Sequence, residues 1–334
     1  MIISRTPFRV SFFGGGSDYP EWYLKEGGCV LSTTIDKYCY ISCRFLPPFF
    51  NIRHRIVWSH IETVGTISEI LHPAVREGLR FLGFDDSVGL EIHYQGDLPA
   101  RAGMGSSSSF AVGLIRALTA LRGQMISKHE LALKAIELEQ NALKEHVGSQ
   151  DQVAAAYGGF NVIRFSPNGD IFVEPMTIPD ARLVELQSRL LLFYTGSSRL
   201  ASEVAANVIA SFEKKQGDLR RMREMVEEAV AIVSKSGPLD DFGRLLHDAW
   251  TLKRGLSGAV SSSTIDGIYE LARQHGALGG KLLGAGGAGF MVFYVAPERQ
   301  RDVIKALSMC LHVPFKFERE GSALVYYAPN GIMG

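Results

Sequence analysis

At 334 residues the chain is longer than one core of ordinary size, and its 46% hydrophobic and 21% charged content marks a globular protein of two domains. Lys plus Arg and Asp plus Glu each total 35, so no net charge draws the chain to nucleic acid or to an anionic membrane surface. The N-terminal MIISRTPFRVSFFGGG lacks the apolar segment and cleavage site of a signal peptide, and no run reaches the ~20 apolar residues that span a bilayer. The expectation is a cytoplasmic protein without nucleic-acid or membrane partners, for which a homodimer stays open. Cys29, Cys39, Cys43 and Cys310 have no CxxC-type spacing and read as reduced, buried thiols rather than metal ligands.

In chain order, β-branched and aromatic residues predict strands over Ile2–Phe13, Cys29–Thr34, Tyr38–Phe45 and Arg55–Ser59. Pro73 opens a helix to Leu82, and Val88–Tyr94 reads as a strand. Ser127 followed by Glu130 is a capping signal for a helix to His146, and a short helix follows Gly148 as far as Tyr157. Gly158-Gly159 stops it, Phe160–Phe165 is a strand, and Ser166-Pro-Asn-Gly169 turns the chain into Ile171–Glu174. Pro175–Pro179 reads as a domain junction, which gives domains 1–178 and 179–334. Beyond it lie a strand over Arg189–Tyr194 and helices over Leu200–Lys214, Asp218–Ser236, Leu239–Lys253 and Thr264–His275. Glycines break the pattern from Gly276 to Gly289. Phe290–Val295 is a strand, Pro297–Met309 a helix and Ala323–Tyr327 a closing strand, so both halves are α+β rather than runs of βαβ units.

The most specific stretch is PARAGMGSSSSFAVGLIRALTAL, Pro99 to Leu121. Phe110, Leu114 and Leu118 recur every four residues and predict an amphipathic helix that opens at the serines. Gly103 and Gly105 let the preceding turn adopt positive φ and let a ligand approach the backbone. The free amides of the first helical turn, with the helix dipole, make an anion site suited to the phosphates of a nucleoside triphosphate. A serine-capped helix after a glycine turn would read the same way.

Gly14-Gly15-Gly16 ends the first strand before Ser17-Asp18, where Asp18 presents a carboxylate to sugar hydroxyls or caps a helix before Pro20. Arg9, earlier on that strand, places a guanidinium near a transferred phosphate. Asp151 opens the helix after Gly148, where it can orient the proton of an attacking hydroxyl or serve as an ordinary cap. Glu139 is either a magnesium ligand or a solvated helix charge. KLLGAGGAG, with Gly284, Gly286, Gly287 and Gly289, satisfies GxGxxG formally, but a strand follows it rather than a helix. That excludes a dinucleotide site and leaves either a hairpin or a loop that closes over a phosphate or sugar. No GxxxxGK[ST] and no HRD or DFG set occurs.

The three glycine-rich elements in this order, above all Pro99-x-x-x-Gly103-Met104-Gly105-Ser106-Ser107, resemble the GHMP kinase superfamily over nearly the whole chain. The resemblance implies an N-terminal domain with a left-handed β-α-β unit and a C-terminal ferredoxin-like α+β sandwich. It places ATP on Pro99 and on Gly103, Met104, Gly105, Ser106, Ser107, Ser108 and Ser109. It carries over Ser107 and Glu139 as magnesium ligands, although the Glu139-to-Asp151 spacing is one residue longer than in mevalonate kinases. Asp151 becomes the residue that activates the acceptor hydroxyl, and Arg9 is expected as a catalytic residue that stabilises charge on the transferred group. Gly14, Gly15, Gly16, Ser17, Asp18, Gly284, Gly286, Gly287 and Arg199 become the sugar site.

Glycines stand where galactokinases carry the Glu and His of GEHTDY, and the retained Asp151 argues against homoserine kinases. FGGGSDYP with VGSQDQVAAAYGGFNVIRF is most similar to the bacterial D-glycero-D-manno-heptose 7-phosphate kinases, and L-fucokinases share related features. An acceptor that already carries a phosphate calls for a cationic pocket near Asp18, and Lys37, Arg44, Arg53, His54, Arg55 and Arg199 are the candidates. The expected activity is transfer of the γ-phosphoryl group of ATP, with Mg2+, to the anomeric hydroxyl of a heptose 7-phosphate. A free-sugar 1-kinase and a non-catalytic sugar- or nucleotide-binding regulator are the rivals.

Overall fold

The computed structural model describes residues 1–47, 49–50, 52–196, 201–235 and 237–329, with 201–203 described by backbone only. In the first part, β1 (Ile2–Phe13), α1 (Pro20–Glu26), β2 (Gly28–Phe45), β3 (His54–Val57), β4 (Ile61–Val64), α2 (Pro73–Phe81) and β5 (Leu90–Gly96) follow one another. Next come α3 (Ser106–Leu121), α4 (Lys128–Glu137), α5 (Gln150–Tyr157), β6 (Phe160–Phe165) and β7 (Ile171–Pro175).

β2 is one strand of 18 residues where the sequence suggested two. Its first half pairs with β6, its second half with β5, and its other edge with β1 along nearly its whole length. The expected interruption survives as a bulge, because the register against β1 slips between Pro7↔Tyr38 and Phe8↔Ile35. The sheet runs β13-β1-β2-β5-β3-β4, with β6, β7 and β12 on the other reach of β2. Only β3 and β5 pair in parallel among the described strands, and β4 and α2 link them.

α3 crosses this sheet. The sequence predicted an amphipathic helix, yet every residue of α3 except Ser107 and Arg116 is buried. The sheet covers one side, and α2, α4 and α5 cover the other, so polar positions near its start are enclosed as well. Gly113 is the point of closest approach: a Cβ there would lie 2.9 Å from Thr6 Oγ1.

The second part holds α6 (Asp180–Ser188), β8 (Leu190–Tyr194), α7 (Ala201–Ala210), α8 (Gln216–Ser234), α9 (Asp240–Arg254) and α10 (Ser263–Gln274). It ends with β9 (Ala277–Leu282), β10 (Phe290–Val295), α11 (Gln300–Ala306), β11 (Leu311–His312), β12 (Phe317–Glu318) and β13 (Ala323–Tyr327). β8, β9, β10 and β11 form an antiparallel sheet in the order β11-β8-β10-β9. With helices between β8 and β9 and between β10 and β11, this is the expected ferredoxin-like arrangement.

β9 was hidden in the glycine-rich stretch. Gly279 and Gly280 are not breakers there: a Cβ on Gly279 would collide with the carbonyl of Gly243, and Gly280 lies against the Phe293 ring. The glycines let α9 lie directly on the strand. The division at 178/179 separates the two sheets except at the end of the chain, where β12 pairs with β2 and β13 with β1. Their β-branched and aromatic residues complete the first sheet, so the second part is an insertion before its last strands. All four cysteines are buried free thiols, and no helix among the described residues is long and apolar enough to cross a membrane.

Gly279→Ala is expected to lower stability by about 3 kcal/mol, because backbone rather than a flexible side chain occupies the space. Gly267→Ala, on the exposed side of α10 with open space around it, should gain about 0.5–1 kcal/mol. Urea denaturation of the two variants checks the pair.

Candidate active site

Strand alternation places Arg9 and Ser11 on one face of β1, toward a cleft of about 650 Å3 between the two parts of the chain. Arg9 is 3% exposed. Its Nε and Nη2 donate to the two carboxylate oxygens of Asp151 at 2.7 and 2.6 Å, and its Nη1 donates to the carbonyl of Gly103 at 2.8 Å. The Arg9 amide donates to the carbonyl of Met104 at 3.2 Å. One side chain thus joins β1, the glycine loop before α3 and the first turn of α5. The fork geometry explains why the cation is arginine.

The loop enters α3 through Gly103 (φ 82°) and Gly105 (φ 71°), with Arg101 at φ 59° between Leu98 and the helix. Gly105 is required twice over: its φ is left-handed, and a Cβ would press on Arg9 and Asp151 at 3.3 Å. Gly103, Gly105, Ser106, Ser107 and Ser108 line the cleft. The first-turn amides of α3 have no acceptor within the helix and open toward the cleft. Pro99, Met104 and Ser109, also expected at ATP, lie elsewhere. Pro99 is exposed outside the cleft, Met104 is fully buried with only its carbonyl used by Arg9, and Ser109 Oγ donates to the Pro7 carbonyl at 2.9 Å. Successive helix positions turn by about 100°, so four consecutive serines cannot all face one ligand.

Glu139 is fully buried rather than a solvated helix charge. Its carboxylate accepts from Ser107 Oγ (2.7 Å), Ser108 Oγ (2.7 Å) and Gln152 Nε2 (2.6 Å). The helix predicted to His146 leaves α geometry at Leu138–Ala142, where it forms a π turn with Leu143 N donating to Leu138 O at 2.9 Å. A π turn takes up one extra residue, and within it Glu139 is aimed at the serines of α3. Burial pushes the Glu139 carboxyl up to about 7, against the pull of its three donors.

At the end of β1, Gly15, Gly16 and Asp18 line the cleft, whereas Gly14 and Ser17 do not. Ser17 Oγ donates to Gly14 O and accepts from Cys29 N, and a Cβ on Gly14 would collide with the Cys29 carbonyl, so both residues fasten the turn to β2. Asp18 is 2% exposed and accepts from Gly16 N and Gln150 Nε2, each at 2.9 Å. Tyr19, not Asp18, is the N-cap of α1. Burial and the nearby charge of Asp151 raise the Asp18 carboxyl above its ordinary value.

From the second part, Gly284 reaches the cleft while Gly286 and Gly287 do not. Gly287 N donates to Val260 O at 2.8 Å, and Gly286 packs on the same residue. This loop interlocks with the first: a Cβ on Gly103 would lie 2.5 Å from Leu283 O, and Phe290 N donates to Ala102 O at 3.1 Å.

The basic residues proposed for a phosphate pocket do not converge on Asp18. Lys37 pairs with Asp36, Arg44 and Arg55 with Glu91, and His54 with Asp86, while Arg53 donates to the carbonyls of Asp86 and Ser87. None of them lines the cleft, and Arg199 lies outside the described residues. Two lysines that the sequence reading passed over stand there instead. Lys253 near the end of α9 donates to the carbonyls of Leu282 (3.1 Å) and Gly284 (2.5 Å), and Lys281 in β9 donates to Phe12 O at 2.8 Å. Burial pushes the Lys253 ammonium down to about 8 and the Lys281 ammonium well below the lysine range.

The other end of the cleft is aromatic. His72 stacks on Phe110 at 4.8 Å, Trp58 meets His72 edge-on at 4.8 Å, and Tyr94 meets Phe110 at 5.4 Å. Phe110 stood on the apolar face of the predicted helix, and Trp58 and Tyr94 stood in predicted strands, while His72 lay outside every predicted element; only the meeting of the end of β3, the start of α2, β5 and α3 makes a flat-ring site of them.

Comparison with known proteins agrees with this arrangement. Residues 69–159 match the GHMP kinases N terminal domain, and residues 225–309 match the GHMP kinases C terminal domain. The chain is 30% identical to the D-glycero-alpha-D-manno-heptose 7-phosphate kinase of Campylobacter jejuni, over 96% of this chain and 97% of that protein. It is 27% identical to the bifunctional fucokinase/GDP-fucose pyrophosphorylase of Arabidopsis thaliana over 85% of this chain but only 29% of that longer protein. The fold superposes on the crystal structure of a D-glycero-D-manno-heptose 1-phosphate kinase from Bacteroides thetaiotaomicron with a TM-score of 0.77, covering 98% of this chain and 99% of that one at 24% identity.

The raised Glu139 carboxyl has a consequence for stability. In the folded chain it keeps its proton up to about 7, while the unfolded chain releases it near the ordinary 4.5, so stability falls as pH rises between those values. Glu139→Gln removes that penalty. It should leave stability at pH 4 little changed and raise it at pH 8 by on the order of 2–3 kcal/mol, read by chemical denaturation at both pH values.

Proposed function

The chain belongs to the GHMP kinases and is a phosphotransferase acting on a sugar hydroxyl; on that premise we propose that it transfers the γ-phosphoryl group of ATP to the anomeric hydroxyl of a heptose 7-phosphate. The observation that carries the reading is the bidentate Arg9–Asp151 pair, which stands between the serine end of α3 and the buried Asp18. The amides at Gly105–Ser108 suit a polyphosphate, and the Trp58–His72–Phe110 rings suit a purine at the opposite end.

Asp151, fixed by the guanidinium, accepts the proton of the acceptor hydroxyl as its oxygen bonds to the γ-phosphorus and the bond to ADP breaks. Arg9 remains beside the transferred group and offsets its charge. Asp18 and the side-chain amide oxygen Oε1 of Gln150 hold sugar hydroxyls. The donors at Ser107 and Glu139 fit a hard cation: they are oxygens, and Glu139 is a buried carboxylate held only by neutral groups. No cluster of three or more His, Cys, Asp or Glu suited to a metal occurs among the described residues, which matches Mg2+ held by one or two protein ligands together with substrate phosphates. When bound, Mg2+ neutralises charge on the phosphates.

Similarity to a fucokinase supports a free sugar as the second reading. Release of ADP with Mg2+ and ATP, compared for D-glycero-D-manno-heptose 7-phosphate, fucose, galactose and mannose, separates the two. Turnover with the heptose phosphate alone is the expected result, and turnover with a free sugar alone would replace it. Asp151→Asn should lower kcat by about 10^3 or more with nucleotide affinity kept, since the amide cannot accept the proton. Near-normal kcat in that variant would remove Asp151 from the chemistry.

A further inference from the structure

We propose that Lys253 and Lys281 form the receiving site for an anionic group that the acceptor already carries, and so select phosphorylated over neutral sugars; this rests on the reading of the cleft as a sugar kinase site. Both lysines line the cleft and both are more than nine-tenths buried, at 8% and 4% exposure. Their ammonium groups touch only carbonyls: Leu282 and Gly284 for Lys253, Phe12 for Lys281. Neither makes an ion pair with a carboxylate among the described residues, and each has N–H bonds to spare. A buried ammonium without a counterion is costly, and an arriving anion repays that cost.

The charges around the lysines point the same way. Near the lysines, three cations, Arg9 on β1, Lys253 on α9 and Lys281 on β9, face two carboxylates, Asp18 in the turn before α1 and Asp151 on α5, while Arg101 and Glu145 also line the cleft. Arg9 and Asp151 satisfy each other in the bidentate pair. Asp18 is already held by Gly16 and Gln150. Asp18 therefore offsets part of the lysines' charge from across the cleft without pairing with either, and one positive charge is left unmatched.

Two further polar atoms lie on this side of the cleft without a partner. Ser11 Oγ and Gln150 Oε1 are buried and unbonded among the described residues, and both residues line the cleft. A ligand with oxygens for the ammonium groups and hydroxyls for Asp18 and Gln150 satisfies the whole set, as a sugar phosphate does.

The same cations could instead serve the phosphoryl group in transit, and position decides between the two. β1 meets the phosphate loop at Arg9, whose amide bonds Met104, whereas Lys281 is tied to Phe12, three residues and roughly 10 Å farther along the strand. That places Lys281 on the Asp18 side. Lys253 stands between, bonded to the loop residue Gly284.

The test is direct binding by calorimetry of D-glycero-D-manno-heptose 7-phosphate, of the same heptose without phosphate, and of ATP, to the unmodified chain and to Lys253→Met and Lys281→Met, with kinetics alongside. Each variant is expected to weaken the heptose phosphate at least tenfold while free heptose and ATP change by less than twofold. In the unmodified chain, affinity for the heptose phosphate should fall as pH rises from 7 to 9, a range in which the ligand's own charge is constant. Lys253→Met should flatten that fall, a readout that a merely structural lysine would not move. Lys253→Arg, which keeps a cation, should restore part of the affinity if the variants are folded. Weakening of ATP instead, or equal loss for free and phosphorylated heptose, overturns the proposal. Turnover of free sugars with indifference to the phosphate leaves the kinase reading standing and overturns this one. If neither form of the heptose is turned over, the heptose reading falls, and the binding ratios still decide the lysines.

Discussion

The structure turns on the Arg9 guanidinium. A cation this deeply buried is tolerated only when its donors are matched, and here three of them meet the Asp151 carboxylate and the Gly103 carbonyl within 2.6–2.8 Å. The match holds strand, loop and helix in one arrangement, because none can shift without leaving charge unpaired in a low-dielectric site. The same pair orients the carboxylate that the proposed chemistry needs. Its retention is explained by geometry rather than by net stability, since buried ion pairs often contribute little against an apolar replacement.

The glycine loops supply the second constraint. Gly103, Gly284 and Gly289 press backbone against backbone where the two parts of the chain meet, and side chains there would separate them. The contact brings the first-turn amides of α3 and the carbonyl of Gly284 into one cleft. The insertion of the second sheet before β12 and β13 ties the parts together again, because the chain must return to complete the first sheet.

Along the cleft, electrostatic character changes in a definite order. Stacked aromatic rings at one end give way to serine hydroxyls and amides, then to the Arg9–Asp151 pair, and finally to Asp18 with two lysines. Burial is the main cause that shifts these groups from their ordinary values: it raises Glu139 and Asp18 and lowers Lys253 and Lys281. Burial of this kind disfavours the charged form of each group, so a ligand that supplies compensating charge or hydrogen bonds is favoured there.

The sequence by itself determined the glycine–serine loop and its helix, Arg9, Asp18 and Asp151, and most strands and helices. These are local patterns: period, caps, turn residues and a motif of contiguous residues. The tertiary structure decided which members of those motifs face the cleft. Ser109, Ser17, Gly14, Gly286 and Gly287 share sequence with cleft residues but point into packing, because neighbouring positions on a helix or turn face different directions. It alone revealed β9, whose glycines look like breakers until α9 is seen lying on them, and the π turn that aims Glu139. It alone brought Lys253 and Lys281 to Asp18. In sequence, one is a basic residue near a helix end and the other a residue beside glycines, whereas the role proposed for them rests on the absence of a counterion among the described residues, which is a property of three-dimensional surroundings and not of any local pattern.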